Sequence, residues 1–310
     1  MNKKYIVMDV DTGCDDSMAL MLAKSCPDIE ILALTCVFGD VDTTTENTLK
    51  VAKMLGINAP VGKGAQKPLI DPPLQADGLG IAIHGKDGLG NVGGRLKKTE
   101  ENLSDLTAVD LMEKVTVVAT GPLTNIATFL VSYPELQEKI EQIALMGGAA
   151  YGGNLTFNVE ANTGHDPEAT AIVFMSDVKK VMFGLDATMA VYITNRERQL
   201  LAENGGEVGV FLKDCLQAYA DTYKALANYP GAVLHDSLPL AWLIDESCVQ
   251  LKDAYVEIDL NGAVSRGCTV ADFMGICQKP RNTKIAMRAD REKIIKMHTE
   301  GVKAFADVKI

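Results

Sequence analysis

Asp9, Asp11, Asp15 and Asp16 fall within one short stretch, Asp9-Val10-Asp11-Thr12-Gly13-Cys14-Asp15-Asp16. Carboxylates packed this closely repel one another unless a positive charge sits among them. Hard oxygen donors of this kind favour calcium or magnesium. A helix N-terminus also accepts acids, for capping and for the helix dipole. That accounts for Asp15 and Asp16 but leaves Asp9 and Asp11 unexplained. The cluster therefore suggests cation-assisted chemistry, either attack by an activated water or phosphoryl transfer.

Two known loops set limits on this reading. An EF-hand loop places Gly sixth and Glu twelfth; counted from Asp9, Gly13 comes fifth and Leu20 twelfth. The Asp-x-Asp motif of haloacid-dehalogenase-like phosphatases is followed by Thr or Val where this chain has Gly13. It also requires a late Gly-Asp pair, and Gly39-Asp40 comes too early. A magnesium-dependent phosphatase or phosphotransferase using Asp9 and Asp11 remains the first alternative.

Among the four histidines, His84 lies in a glycine-rich segment and His235 stands next to Asp236. His165 and His298 carry no comparable argument. Tyr219 and Tyr223 are one helical turn apart and share a face.

The elements around these residues alternate. Strands are predicted at Tyr5–Met8, Ile29–Val37, Val115–Ala119, Gln142–Met146 and Lys180–Phe183. Helices are predicted at Asp16–Lys24, Thr43–Leu55, Ser104–Glu113, from Pro122, at Pro167–Met175 and across Gly206–Leu226. Such βαβ alternation implies an α/β fold with a mostly parallel, Rossmann-like open sheet flanked by helices. Ligands then bind beyond the carboxyl ends of the strands. Gly62 to Lys98 breaks the pattern and reads as a long loop. Its Gly78–Gly94 portion is expected to be a lid that orders over substrate. With no linker and no repeat, residues 1–310 read as one domain.

The chain has 310 residues, 47% of them hydrophobic and 23% charged, enough for a substantial core. Asp and Glu total 41 against 30 Lys and Arg, for a net charge of −11. A nonspecific nucleic-acid binder needs the opposite sign. No apolar run is long enough for a membrane span. The stretch after Met1-Asn2-Lys3-Lys4 is cut short by Asp9, so no signal peptide is expected. Seven cysteines without a Cys-x-x-Cys pair suggest reduced, buried thiols and a cytoplasmic protein.

The opening stretch, continued as Asp9-x-Asp11-x-Gly13-x-Asp15-Asp16-x-x-Ala19-Leu20, resembles the N-terminal fingerprint of the inosine–uridine-preferring nucleoside hydrolases. Further elements follow in that family's order: Ile83-His84-Gly85-Lys86-Asp87-Gly88-Leu89, then Thr120-Gly121-Pro122-Leu123-Thr124-Asn125. After them come Asn154 with Glu160 and Asn162, Asp166-Pro167-Glu168-Ala169, His235-Asp236, and finally Asn282 with Asp290. The resemblance spans nearly the whole chain.

It implies calcium-dependent hydrolysis of ribonucleosides to free nucleobase and ribose. One calcium per chain would be held by Asp11, Asp16, Asp236 and the carbonyl of Thr120, with Asp11 as general base for the attacking water. Asp15, Asn154, Glu160, Asn162 and Asp236 would grip the ribose. His84, Tyr219, Tyr223 and His235 would face the base, the two histidines as further catalytic groups. Carboxylates suit this reaction because the sugar becomes oxocarbenium-like in the transition state. Relatives are often dimers or tetramers, so a homodimer or homotetramer is expected, with no nucleic-acid or membrane partner. Asp40 stands where the family usually has Asn, adding an acid near the ribose. Ala161 replaces a common aromatic and leaves a roomier base site, while Trp242 does not take the place of His235. A nucleoside-binding protein without catalysis is the second alternative.

Overall fold

The computed structural model describes residues 3–70, 79–106 and 115–310. The first half of the fold runs β1 (Lys4–Val10), α1 (Cys14–Ser25), β2 (Ile29–Cys36), α2 (Val41–Leu55) and β3 (Val61–Lys63). A short helix, α3 (Leu79–His84), precedes β4 (Thr116–Ala119), α4 (Thr124–Ser132) and β5 (Gln142–Met146). Next come α5 (Ala161–His165), α6 (Pro167–Met175), β6 (Lys180–Phe183), α7 (Leu185–Thr188), β7 (Tyr192–Thr194) and α8 (Asn195–Asn204). The chain continues through α9 (Gly206–Ala227), β8 (Gly231–Val233), α10 (Ser237–Ile244), β9 (Val249–Ile258), β10 (Thr269–Asp272), β11 (Thr283–Ala289) and α11 (Arg291–Gly301).

Nine strands form one sheet in the order β10-β9-β11-β6-β5-β4-β1-β2-β3. From β11 to β3 every pairing is parallel, while β9 runs antiparallel to both β10 and β11. β7 and β8 make a separate antiparallel pair. The mostly parallel α/β sheet expected from the sequence is therefore present.

Side-chain alternation accounts for the layers. In β1, Ile6, Met8 and Val10 enter one core and Val7 the other. Met18 and Leu22 of α1, Phe211 of α9 and Leu240 of α10 cover the first face. Ile126 and Phe129 of α4, with Val173 and Phe174 of α6, cover the second. Each such side chain fully removed from water contributes roughly 1.5–3 kcal/mol.

β1 lies between β2 and β4, so the chain direction across the sheet reverses there. The crevice at this switch point is the standard binding place of an open α/β sheet. Asp11 leaves β1 and Thr120 leaves β4 at that point, the two strand ends joined by the Thr120 N–H to the Asp9 carbonyl at 2.8 Å.

Two expectations need correction. The segment from Gly62 to Lys98 is not one loop: β3 ends inside it, and α3 and a 3-10 turn at Gly93–Arg95 follow. Its glycines hide that order, which Asp87 supplies by accepting the N–H groups of Leu89, Asn91 and Gly93 at 2.8–2.9 Å. The expected lid begins at Gly78, which lies outside the described residues. Ser104 to Leu106 are not helical: the Ser104 hydroxyl takes the Leu106 N–H, while Ser104 N–H bonds to Val61. The rest of that predicted helix also lies outside the described residues.

Candidate active site

Asp9 is fully buried in β1. Its Oδ1 accepts from Thr35 Oγ1 at 2.6 Å and Asn125 Nδ2 at 2.8 Å, and Oδ2 has no partner among the described residues. Burial pushes its carboxyl up to about 7, although both hydrogen bonds work the other way. Enclosed in this way, Asp9 cannot share a substrate with Asp11, as the phosphatase alternative requires.

Asp11 emerges at the strand end against Gly121. A Cβ at Gly121 would stand 2.7 Å from Val37 Cγ1 and 3.2 Å from Asp11 Cγ, so the turn after β4 needs glycine to pass. Asp15 and Asp16 occupy the first turn of α1. Asp16 Oδ2 accepts the Gly13 N–H at 2.8 Å and its Oδ1 accepts the Thr120 hydroxyl at 2.7 Å. One carboxylate thus ties the turn after β1 to the turn after β4. Asp236 arrives from the N-cap of α10.

Asp15, Asp16 and Asp236 are buried and place their carboxylate oxygens within 4.8 Å of one another. Asp11 stands beside this group. Burial first, then the charges of Asp16 and Asp15, raise the Asp11 carboxyl well above the usual range. Asp236 is raised by burial and then by Asp15, Asp16 and Asp11; Asp16 is raised by burial and then by Asp15. Groups that raise one another this way are stabilised as anions by a cation in their midst. An all-oxygen donor set of this kind fits a hard divalent ion. The Thr120 carbonyl accepts from Asn162 Nδ2 at 2.8 Å and keeps a second lone pair.

The expected ribose residues divide into two groups. Asn162 Nδ2 also reaches the Met146 carbonyl at 3.0 Å, so it bridges the ends of β4 and β5. Glu160, 2% exposed, caps α5 and accepts the N–H groups of Gly148, Asn162 and Thr163 at 2.8–3.1 Å. Burial raises its carboxyl and those donors restrain the rise. Asn154 is exposed and its Oδ1 accepts the Ala161 N–H at 2.9 Å, closing the same loop. Asp40 lies apart. Phe38 and Gly39 both have positive φ, 72° and 64°, and lead the chain outward to Asp40 at the start of α2. There Asp40 is exposed and takes the Thr43 hydroxyl, which with Lys63 nearby holds its carboxyl below the usual range.

The aromatic residues come together on the other side of the cluster. The Tyr219 hydroxyl donates to Asp15 Oδ2 at 3.0 Å. Tyr223 Oη lies 2.7 Å from His235 Nε2, and the two tyrosine rings are 5.1 Å apart. His84 lies 5.2 Å from the Tyr219 ring and 3.9 Å from Asp15 Oδ1. A Cβ at Gly13 would stand 2.5 Å from His84 Nδ1, which explains the glycine in the fingerprint. Burial lowers His84, but the Cys14 side chain and the charges of Asp15 and Asp16 outweigh it and raise the ring to about 9. Burial dominates at His235, lowers it to about 4, and leaves it neutral near pH 7.

A family model described as inosine-uridine preferring nucleoside hydrolase matches residues 6–296. This chain belongs to that family. It is an enzyme of the ribonucleoside hydrolase class, acting on N-glycosyl compounds. It is 35% identical over 302 residues to the pyrimidine-specific ribonucleoside hydrolase RihB of Escherichia coli O17:K52:H18, covering 94% of this chain and 95% of that protein. The purine-preferring ribonucleoside hydrolase from Gardnerella vaginalis superposes with a TM-score of 0.91 at 29% identity, covering 99% of this chain and all of that one. A plant nucleoside hydrolase gives a TM-score of 0.86 at 27% identity, with 97% and 99% covered.

For this nucleoside hydrolase the structure adds residues to which sequence reasoning gave no role. Asn125 pins Asp9 and also bonds the Cys36 carbonyl at 2.9 Å and the Ala65 N–H at 2.8 Å. Asp166, fully buried, accepts from Thr124 Oγ1 and the N–H groups of Leu69 and Ala169. Thr188 Oγ1 lies 2.8 Å from His235 Nδ1. Asn125 and Asp166 sit inside recognised motifs, so their positions were visible; Thr188 carries no local signal. Among the described residues no helix is long and apolar enough to cross a membrane.

Proposed function

We propose that this chain hydrolyses the N-glycosidic bond of ribonucleosides, releasing free nucleobase and ribose, with calcium held by Asp11, Asp16, Asp236 and the Thr120 carbonyl. The observation that carries the reading is the buried convergence of Asp15, Asp16 and Asp236 within 4.8 Å, beside Asp11, at the sheet's switch point. A divalent cation bound there would neutralise these carboxylates and make a nearby water more acidic.

Asp11, at the end of β1 beside the carboxylate cluster, accepts the proton of the attacking water. Asp15 and Asp236 face the ribose hydroxyls and the positive charge that develops on the sugar. Three backbone donors leave Glu160 one of its roughly four lone-pair sites for a hydroxyl. Asn162 holds the strand ends that carry the ribose loop, and Asn154 closes it. On the leaving side, the Tyr223 hydroxyl, held against neutral His235, offers a hydrogen bond to the departing base, with His84 at the rim. Family names describe pyrimidine-specific and purine-preferring relatives alike, so the base preference is a matter for a substrate panel.

The test is product analysis with natural purine and pyrimidine ribonucleosides. Equal release of free base and reducing sugar supports the reading. Binding without turnover in a single-turnover experiment would leave a nucleoside-binding protein, and release of phosphate from nucleotides without base release would leave a phosphatase.

A further inference from the structure

His235 is clamped between two hydroxyls. Tyr223 Oη lies 2.7 Å from Nε2 and Thr188 Oγ1 lies 2.8 Å from Nδ1. A neutral imidazole carries one N–H and one lone pair, so one hydroxyl must donate to the ring and the other must accept from it. Which does which decides where the Tyr223 proton can go.

Thr188 resolves the choice. It ends α7 fully buried, and among the described residues its hydroxyl has one hydrogen-bond partner, His235 Nδ1. Were the ring proton on Nδ1, the Thr188 hydrogen would be buried without an acceptor, and a buried unmade donor is costly. Donation from Thr188 to Nδ1 avoids that cost and leaves the ring proton on Nε2, pointing at Tyr223 Oη. Tyr223 can accept it because its own hydrogen has other outlets. Tyr223 is only partly buried, so its hydroxyl can turn its own hydrogen toward the open side of the site while its oxygen accepts from His235.

We infer that Thr188 is a positioning residue that holds His235 as the Nε2–H tautomer, so that the Tyr223 hydroxyl proton is the one presented to the departing base. The polarity runs from Thr188 to His235 to Tyr223, and the charge on the leaving nitrogen is met by a tyrosine O–H whose oxygen is itself receiving a hydrogen bond. Hydrogen bonds in series strengthen one another in this sense. The inference rests on the reading of the site as a nucleoside N-ribohydrolase.

Two measurements test it. Two-bond ¹H–¹⁵N spectra of histidine-labelled protein, with His235 assigned through a His235→Gln variant, report the tautomer directly. The expected result is Nε2–H in the native protein and a loss of that preference in Thr188→Val. Nδ1–H in the native protein, or an unchanged tautomer in Thr188→Val, overturns the inference. In kinetics, Thr188→Val should lower kcat for a natural nucleoside by about tenfold or more, while a nitrophenyl riboside, which leaves unaided, loses less than about threefold. Thr188→Ser should restore the nucleoside rate. Equal losses on both substrates overturn the inference while leaving the hydrolase reading intact. If the native enzyme cleaves neither substrate, the hydrolase reading fails, and the spectra alone decide the tautomer. Should Thr188→Val not fold, the native spectrum still decides between the two tautomers, and Nδ1–H there overturns the inference.

Discussion

The Tyr219 hydroxyl donates to Asp15 Oδ2 at 3.0 Å, a buried bond between residues 204 positions apart that joins the aromatic side of the site to its carboxylates. It couples α9, which carries the Tyr219 and Tyr223 rings, to the first turn of α1. Asp15 is thereby oriented by a group from α9, and in the proposed reading this links the base side of the site to the sugar side.

Tyr219→Phe removes that donor and little else. A hydrogen bond to a charged acceptor is worth about 1.5–3 kcal/mol, so kcat/KM for a nucleoside should fall roughly ten- to a hundredfold. Steady-state kinetics checks this, and an unchanged kcat/KM would mean that Asp15 needs no such orientation.

Calcium should stabilise the folded chain. Binding to the native state alone contributes about 2.7 kcal/mol at a hundredfold excess over Kd. Melting temperature should drop on chelation and recover with calcium, and Asp16→Ala should abolish the response. Scanning calorimetry with and without the ion is the check.

Asn125→Ala should destabilise the fold by at least about 2 kcal/mol, because it strips partners from Asp9, the Cys36 carbonyl and the Ala65 N–H in a buried setting. Urea denaturation measures it. A change under about 0.5 kcal/mol would show that solvent satisfies those groups instead.

These particulars show what the sequence can and cannot disclose. The Asp9–Asp16 fingerprint is legible because a strand, a turn and a helix start are local, and the ends of β1 and β4 follow from alternation. Gly13 and His84 are 71 positions apart, so the reason for that glycine appears only when the ring is seen against it. Asp40 reads as an acid near the ribose, yet two successive positive-φ residues carry it to the surface. Backbone geometry of that kind leaves no pattern in residue types. Glu160 and Asp87 likewise read as charges, whereas much of their work is to gather backbone N–H groups.

His298 provides a pH test away from the carboxylates. It is fully buried between the Ile294 carbonyl and Ser237 Oγ, and burial lowers it from 6.5 to about 4. The unfolded chain therefore binds a proton that the folded chain refuses between those values. Its contribution is full above about 6.5 and is lost as pH falls toward 4, the loss reaching about 2 kcal/mol at pH 5. Asp9, raised to about 7, works in the opposite direction, so the comparison must be with a variant that keeps it. The stability difference between the native protein and His298→Gln should shrink by about 2 kcal/mol from pH 7.5 to pH 5. A constant difference would mean that His298 titrates alike folded and unfolded.

The central claim is that the carboxylates at the end of β1 and the starts of α1 and α10 perform cation-dependent cleavage of a nucleoside. Its most direct test is the hydrolysis rate of inosine and uridine by chelator-treated protein as calcium is returned. The account predicts no base release without the ion and recovery that saturates at one calcium per chain. It also predicts that neither Asp11→Ala nor Asp16→Ala recovers. Full activity in excess chelator, or an Asp11→Ala protein as active as the native one, would contradict it.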